Sequence, residues 1–289
     1  MNTLTVLYSF IYQFGDNFAY LVLSALGLAI IFGMMGVINL AHGELIMCGA
    51  YVTIVSAKAG VPLPLAMLLG TLAAAVAGVL VERLVIRHLY DRLFDSVVAT
   101  WAISLITQQT MLLVVGPAIE GVSTPFGSFT LGDLSFSTYR AVLPLIAITV
   151  LLLLYLLLFH TNYGVCARAT IQNARMASCL GLKTERTYTL TFALGAGLAG
   201  LAGALYAPTM TAVPTMGSSF IVQAFVTVVV GGANVLVGTI PAATILSVIQ
   251  TILTASYGQL IGQIGLLLTV IVVIRLLPQG MGSLFSRNR

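Results

Sequence analysis

The chain has 289 residues, of which 59% are hydrophobic and only 7% charged, with a net charge of +4. Soluble domains carry about 25% charged residues, so this composition excludes an ordinary water-soluble enzyme and points to the lipid bilayer. Twelve dispersed Lys and Arg also exclude the dense basic face that nucleic-acid binding requires.

In hydrocarbon every backbone group must be satisfied within the protein, which makes helices the spanning element for long apolar runs. A spanning helix needs roughly 20 mostly apolar residues. Residues 1–17 hold no basic residue and so do not form a signal peptide. Tyr8, Tyr12 and Phe14 predict a short interfacial helix there. Spans are then predicted over 18–36, 37–57, 63–82, 96–116, 141–159, 189–207, 218–231, 238–255 and 262–277. The best count is nine, with eight or ten allowed because 37–57 and 218–255 are interrupted. The expected fold is an all-α, polytopic membrane helix bundle of 8–10 transmembrane segments with broken helices, one domain over 1–289. No loop exceeds about 30 residues, which is too short for an independent aqueous core.

Charge placement predicts topology. Arg83, Arg87 and Arg92 form one island and Arg168, Arg175, Lys183 and Arg186 another, separated by two spans and so on one side. With Arg275, Arg287 and Arg289 that side holds ten of the twelve Lys and Arg, and the positive-inside rule makes it cytoplasmic. The C-terminus is then cytoplasmic, and three spans back from Arg83 place the N-terminus outside. The loop 117–140, with Glu120, Asp133 and Arg140, also lies outside.

The chain shows no catalytic chemistry of its own. Gly181-Leu182-Lys183-Thr184 lacks the upstream glycine and strand of a phosphate loop. His42, His88 and His160 are scattered, and Cys48, Cys166 and Cys179 have no metal or disulfide spacing. No catalytic residue, metal site or cofactor is expected in this chain, and nucleotide energy must come from another one.

Two Gly-interrupted segments carry the main functional signal. GVINLAHG (36–43) and GGANVLVG (231–238) share the pattern G-x-x-N-x-x-x-G. Paired breaks of this kind point to a transporter's substrate site, here Asn39, His42, Glu44 and Asn234 with Gly36, Gly43, Gly231 and Gly238. Asn both donates and accepts, so two of them suit a neutral polar solute. The alternative is a pair of turns between short spans. Six crossings between the motifs make their helices parallel rather than inverted. Glu44 among apolar residues reads as functional, either as a structural or gating carboxylate, solvent-exposed or paired with His42, or as the relay of a proton-coupled carrier. The small-residue stripe Gly195, Gly197, Gly200 and Gly203 reads as close helix packing.

The segment 165–183, VCARATIQNARMASCLGLK, predicts an amphipathic helix ended by Gly181. Arg168, Asn173 and Arg175 are on its polar side, while Met176, Ala177 and Leu180 offer a less polar surface to a soluble partner's groove. An interfacial helix contacting headgroups is the alternative.

GVINLAHGELIMCGAY, RATIQNARMASCLGL, TFALGAGLAGLAGALYAP, VVVGGANVLVGTIPAATIL and RLLPQGMGSLF, in that order, resemble the permeases of ABC importers for branched-chain amino acids and urea. The resemblance covers almost the whole chain. It implies a permease subunit in the bacterial inner membrane, paired with a second homologous permease. Two cytoplasmic ABC ATPase subunits would dock on the coupling segment 165–183, and a periplasmic substrate-binding protein would deliver the cargo. SVVATWAISLITQQ (96–109) and GVSTPFGSFTLGDLSFSTYR (121–140), with Trp101, Gln108 and Gln109, look closer to the urea and short-amide branch. Ala102 departs from the glycine expected after that tryptophan. Urea or short amides are therefore the expected cargo, with branched-chain amino acids as the alternative. A proton-coupled carrier and an assembly subunit without a pore are the readings from other classes.

Overall fold

The computed structural model describes residues 3–90, 92–132, 134–232, 235–277 and 280–282. Asn234, Asp133, Arg287 and Arg289 lie outside the described residues. Among the described residues eleven α-helices run in the order α1 (Thr3–Met35), α2 (His42–Lys58), α3 (Leu63–Leu84), α4 (Leu93–Val114), α5 (Thr138–His160), α6 (Asn162–Gln172), α7 (Ala174–Cys179), α8 (Thr184–Tyr206), α9 (Met216–Gly231), α10 (Val235–Tyr257) and α11 (Gln259–Leu276). An antiparallel hairpin, β1 (Ser128–Leu131) and β2 (Leu134–Ser137), precedes α5.

Seven of these helices, α1, α3, α4, α5, α8, α10 and α11, are long and apolar enough to cross a membrane. The other two predicted spans are occupied by shorter helices, α2 with 17 residues and α9 with 16. All nine expected positions are therefore helical. The span expected to start at residue 37 starts at His42, because 36–41 is irregular.

α1 is the axis of the bundle. Residues 21–31 are all buried, and α5, α8, α9 and α10 pack around it. Its 33 residues extend about 50 Å at 1.5 Å per residue, well beyond the hydrocarbon thickness. The separate interfacial helix expected through Tyr8, Tyr12 and Phe14 is instead the start of α1. The rings of Tyr8 and Tyr12 meet Phe136 of β2 with centroids 5.1 and 5.0 Å apart, and this support keeps the helix continuous.

Small residues set the packing around that axis. The buried face of α3 reads Ala66, Gly70, Ala74, Gly78 and Glu82, a four-residue repeat that presents one row to α8. A Cβ on Gly203 of α8 would overlap the Ile46 carbonyl of α2, so these two backbones touch directly. Dispersion between closely approached backbones, rather than hydrophobicity, holds helices together in lipid.

The two ends of the bundle differ in chemistry. At one end Arg87 pairs with Glu185, and the buried Glu82 carboxylate accepts from Tyr90 Oη at 2.6 Å and Thr189 Oγ1 at 2.9 Å. Burial, then the Glu82 carboxylate, push the Tyr90 hydroxyl well above its ordinary pKa, so it remains a donor. At the other end Arg140 reaches Asp16 at 3.3 Å and the Thr209 carbonyl at 3.4 Å, and Ile119 bridges Ala212. Both basic islands thus share one end, and the loop after α4 shares the other with the start of α1.

Candidate functional site

The break between α1 and α2 starts at Gly36, whose φ of 65° ends α1 in a left-handed conformation that glycine adopts without steric cost. Backbone carbonyls of Asn39 and Ala41 take the first amides of α2, and side chains take two amides of the break before it. Asn39 folds back so that its Oδ1 accepts from the Ala41 amide at 3.0 Å. The Leu40 amide donates to Thr100 Oγ1 of α4 at 3.1 Å. His42 opens α2 and donates from Nε2 to the Ser24 carbonyl of α1 at 3.0 Å. Gly43 follows, and any Cβ there would overlap the Gly217 carbonyl at the start of α9.

Glu44 lies in the first turn of α2 and is only 4% exposed. Its Oε1 accepts from Ser104 Oγ at 2.8 Å and from Gln108 Nε2 at 2.7 Å, both on α4. The pairing of Glu44 with His42 is not found. Residues two apart on a helix do not face each other, so His42 turns to α1 and Glu44 to α4. Ser104 was not foreseen, and Gln108 was noted for another reason. A signal for both existed: Ser96, Thr100, Ser104 and Gln108 repeat every four residues along one face of a largely apolar helix. The first three are buried, while Trp101 is 56% exposed on a different face. α4 thus turns its polar stripe inward, the reverse of a helix in water.

A cavity of about 110 Å³ lies beside this seam, lined by Asn39, Ala41, Glu44, Leu45, Cys48, Ala77, Val81, Ile103 and Thr107. Asn39 Nδ2, Glu44 Oε2 and His42 Nδ1 are buried without a hydrogen-bond partner among the described residues. A second, more open groove of about 290 Å³ runs between α9 and α11, with Ser218, Ser219, Gln223 and Gln263 on its walls.

The second Gly-interrupted segment has a different setting. Gly231 ends α9, Gly232 has a φ of 79°, and Gly238 of α10 packs against Gly231 so closely that a Cβ would overlap its carbonyl. The Met281 amide donates to the Val230 carbonyl at 2.9 Å, bringing the segment after α11 against this break. Gly43 meets α9 at Gly217, whereas the second motif starts 14 residues further on at Gly231, about 21 Å along the helix. The Gly43 contact and Gly231 therefore lie about 21 Å apart along α9, and Asn234 is outside the described residues.

The single helix expected over 165–183 is two helices, α6 and α7, broken at Asn173. Asn173 has an extended backbone, and its side chain accepts from the Met176 amide at 3.0 Å as the N-cap of α7. Capping by a short polar side chain outcompetes helix continuation there. Gly181 does end α7: its φ is 85°, and the Leu182 amide reaches the Ala177 carbonyl at 3.1 Å. Arg168 is not on a free polar face, because it donates to the Leu158 carbonyl and sits 5.0 Å from the Phe159 ring centroid. Arg175, Met176 and Leu180 are exposed, and Ala177 is buried.

Seven helices long and apolar enough to cross a membrane, with the polar stripe of α4 turned inward, mark a multi-pass membrane protein. The chain belongs to the family of branched-chain amino acid transport system permease components, whose profile matches residues 12–277. It is 28% identical to the probable branched-chain amino acid transport permease protein LivH of Methanocaldococcus jannaschii, over 90% of this chain and 87% of that one. It is 26% identical to the high-affinity branched-chain amino acid permease LivH of Escherichia coli, over 89% of each chain. BraD of Pseudomonas aeruginosa, with a permease name of the same kind, is 29% identical over 76% of each. No solved structure gives a significant match.

Proposed function

We propose that the chain is the membrane-spanning subunit of an ABC importer that carries branched-chain amino acids. The observation that carries this reading is the family match over 12–277, with LivH and BraD relatives covering 76% to 90% of the chain. Urea or short-amide cargo has no support among these relatives, so the alternative stated with it takes precedence. Trp101 and Gln109, which carried much of the urea resemblance, are exposed residues of α4, and Gln108 alone of the three reaches the polar seam.

In this reading a second permease subunit completes the pathway, two ATPase subunits supply the energy, and a periplasmic binding protein delivers the cargo. The end with Arg83, Arg87, Arg168 and Arg175 faces the cytoplasm of a bacterial inner membrane, as the positive-inside rule requires. The hairpin and the start of α1 then face the periplasm. The exposed Arg175 and Met176 of α7 and Leu180 just after it, held by the Asn173 cap and the Gly181 stop, are the ATPase docking surface. The break at Gly36–Gly43, with Asn39, His42 and Glu44, borders the substrate path. Gly231, Asn234 and Gly238 serve the second break.

The test is the ligand of the cognate binding protein, isolated with its natural cargo and identified by mass spectrometry. Leucine, isoleucine or valine is expected, and urea or an amide contradicts the reading.

A further inference from the structure

We propose that the cavity beside the α1–α2 break binds the head group of a zwitterionic α-amino acid. Glu44 Oε2 would accept from its ammonium group, and Asn39 Nδ2 would donate to its carboxylate. The proposal rests on the branched-chain reading above and names the recognition chemistry for it.

Buried polar atoms are nearly always paired, so each orphan calls for an explanation. Here the two orphans belong to residues that both line one cavity and are 1% and 4% exposed. One belongs to an acid and accepts; the other belongs to a neutral amide and donates. Their identities are fixed by their neighbours. Ser104 and Gln108 both donate to Glu44 Oε1, which leaves Oε2 as the free acceptor. The Ala41 amide takes Asn39 Oδ1, which fixes the amide orientation and leaves Nδ2 as the free donor.

An acceptor and a donor on two residues of one cavity match an ammonium and a carboxylate on one carbon. No Lys, Arg or His pairs with Glu44 among the described residues, and a cation would stabilise an ionised carboxylate inside a membrane bundle. Water supplies no such charge. A bare metal ion would meet the positive hydrogens of the Asn39 amide, where it needs oxygen. Leu45, Val81 and Ile103 make most of the remaining wall apolar, as a branched aliphatic side chain requires. The volume of about 110 Å³ is close to the roughly 150 Å³ cavity that takes benzene, enough for a head group and its first side-chain carbons.

Cys48 lines the same cavity and reports on it. The full chain, with Cys166 and Cys179 replaced by Ser, is placed in lipid nanodiscs and treated with methyl methanethiosulfonate. Millimolar leucine is expected to slow Cys48 modification by about fivefold or more, as site occupancy dictates. Leucinamide, which lacks the carboxylate, and isovalerate, which lacks the ammonium, should protect far less. Glu44→Gln keeps an acceptor for Ser104 and Gln108 but removes the charge, so leucine should no longer slow Cys48 modification relative to the same variant without leucine. Asn39→Asp keeps the acceptor for Ala41 but removes the donor, and should exchange leucine protection for leucinamide protection. No protection by leucine, equal protection by isovalerate, or full protection in Glu44→Gln overturns the site. Leucine uptake in cells separates the two levels. Uptake without Cys48 protection sinks the site alone, and protection by urea with no leucine uptake sinks the branched-chain reading with it.

Discussion

Gln108 donates its side-chain amide to Glu44 Oε1 at 2.7 Å, and this bond helps fasten α4 to the bundle. α4 touches the rest of the protein mainly through α2 and the turn after α3, and its other faces are exposed. Ser104 and Thr100 add the remaining ties, to Glu44 and to the Leu40 amide. The polar stripe is thus what positions α4 at the break.

Gln108→Leu should weaken that attachment. Interhelical hydrogen bonds in membranes contribute about 0.6 to 2 kcal/mol, and a loss in that range is expected in denaturation by graded SDS. Ser104→Ala should cost a similar amount. Because both donors share one oxygen, the double variant should lose less than the sum.

Gly43→Ala should separate α2 from α9, because the new Cβ would overlap the Gly217 carbonyl. Overpacking of this kind costs roughly 1–3 kcal/mol. Gly197→Ala is the control: the nearest atom to its Cβ would be Ala75 Cβ at 3.5 Å, an ordinary contact. Thermal melting of the two purified variants decides it, with a lowered midpoint expected for Gly43→Ala only.

The nine apolar runs, the Gly36 break and the Gly181 stop were legible because each is local: hydrophobic length, or a glycine where φ must be positive. The division of 165–183 was not read, because Asn173 scores as a mild helix residue and its capping bond appears only once the backbone turns. The independent helix through Tyr8 and Tyr12 failed for a different reason, since its support comes from Phe136, more than a hundred residues away. Glu44 was legible as an unusual acid. Its partners were not, because Ser104 and Gln108 are 60 and 64 residues distant, and only the four-residue polar repeat of α4 hinted at a facing groove.

Met176→Asp with Leu180→Asp should leave the fold intact, since both side chains are exposed, yet abolish substrate-stimulated ATP hydrolysis in the assembled importer. Ala177→Pro should have the same functional effect by another route. It removes the Ala177 amide's bond to the Asn173 carbonyl, at a cost of about 3 kcal/mol in a helix interior. Normal stimulation in both variants would move the docking surface to the island at Arg83 to Arg92.

Single cysteines in place of Ser128 and Lys183, in a cysteine-free background, should label from opposite faces of the membrane. An impermeant maleimide added to intact cells is expected to reach position 128 and not 183. Labelling of both positions would break the two-ended charge topology.

The central claim is tested most directly by the uptake of labelled leucine in cells from which this chain alone has been deleted. Uptake should fall to background, return with the intact chain, depend on ATP rather than on the proton gradient, and be competed by isoleucine and valine but not by urea. Unchanged leucine uptake in the deletion, with loss of urea uptake in its place, would contradict the account.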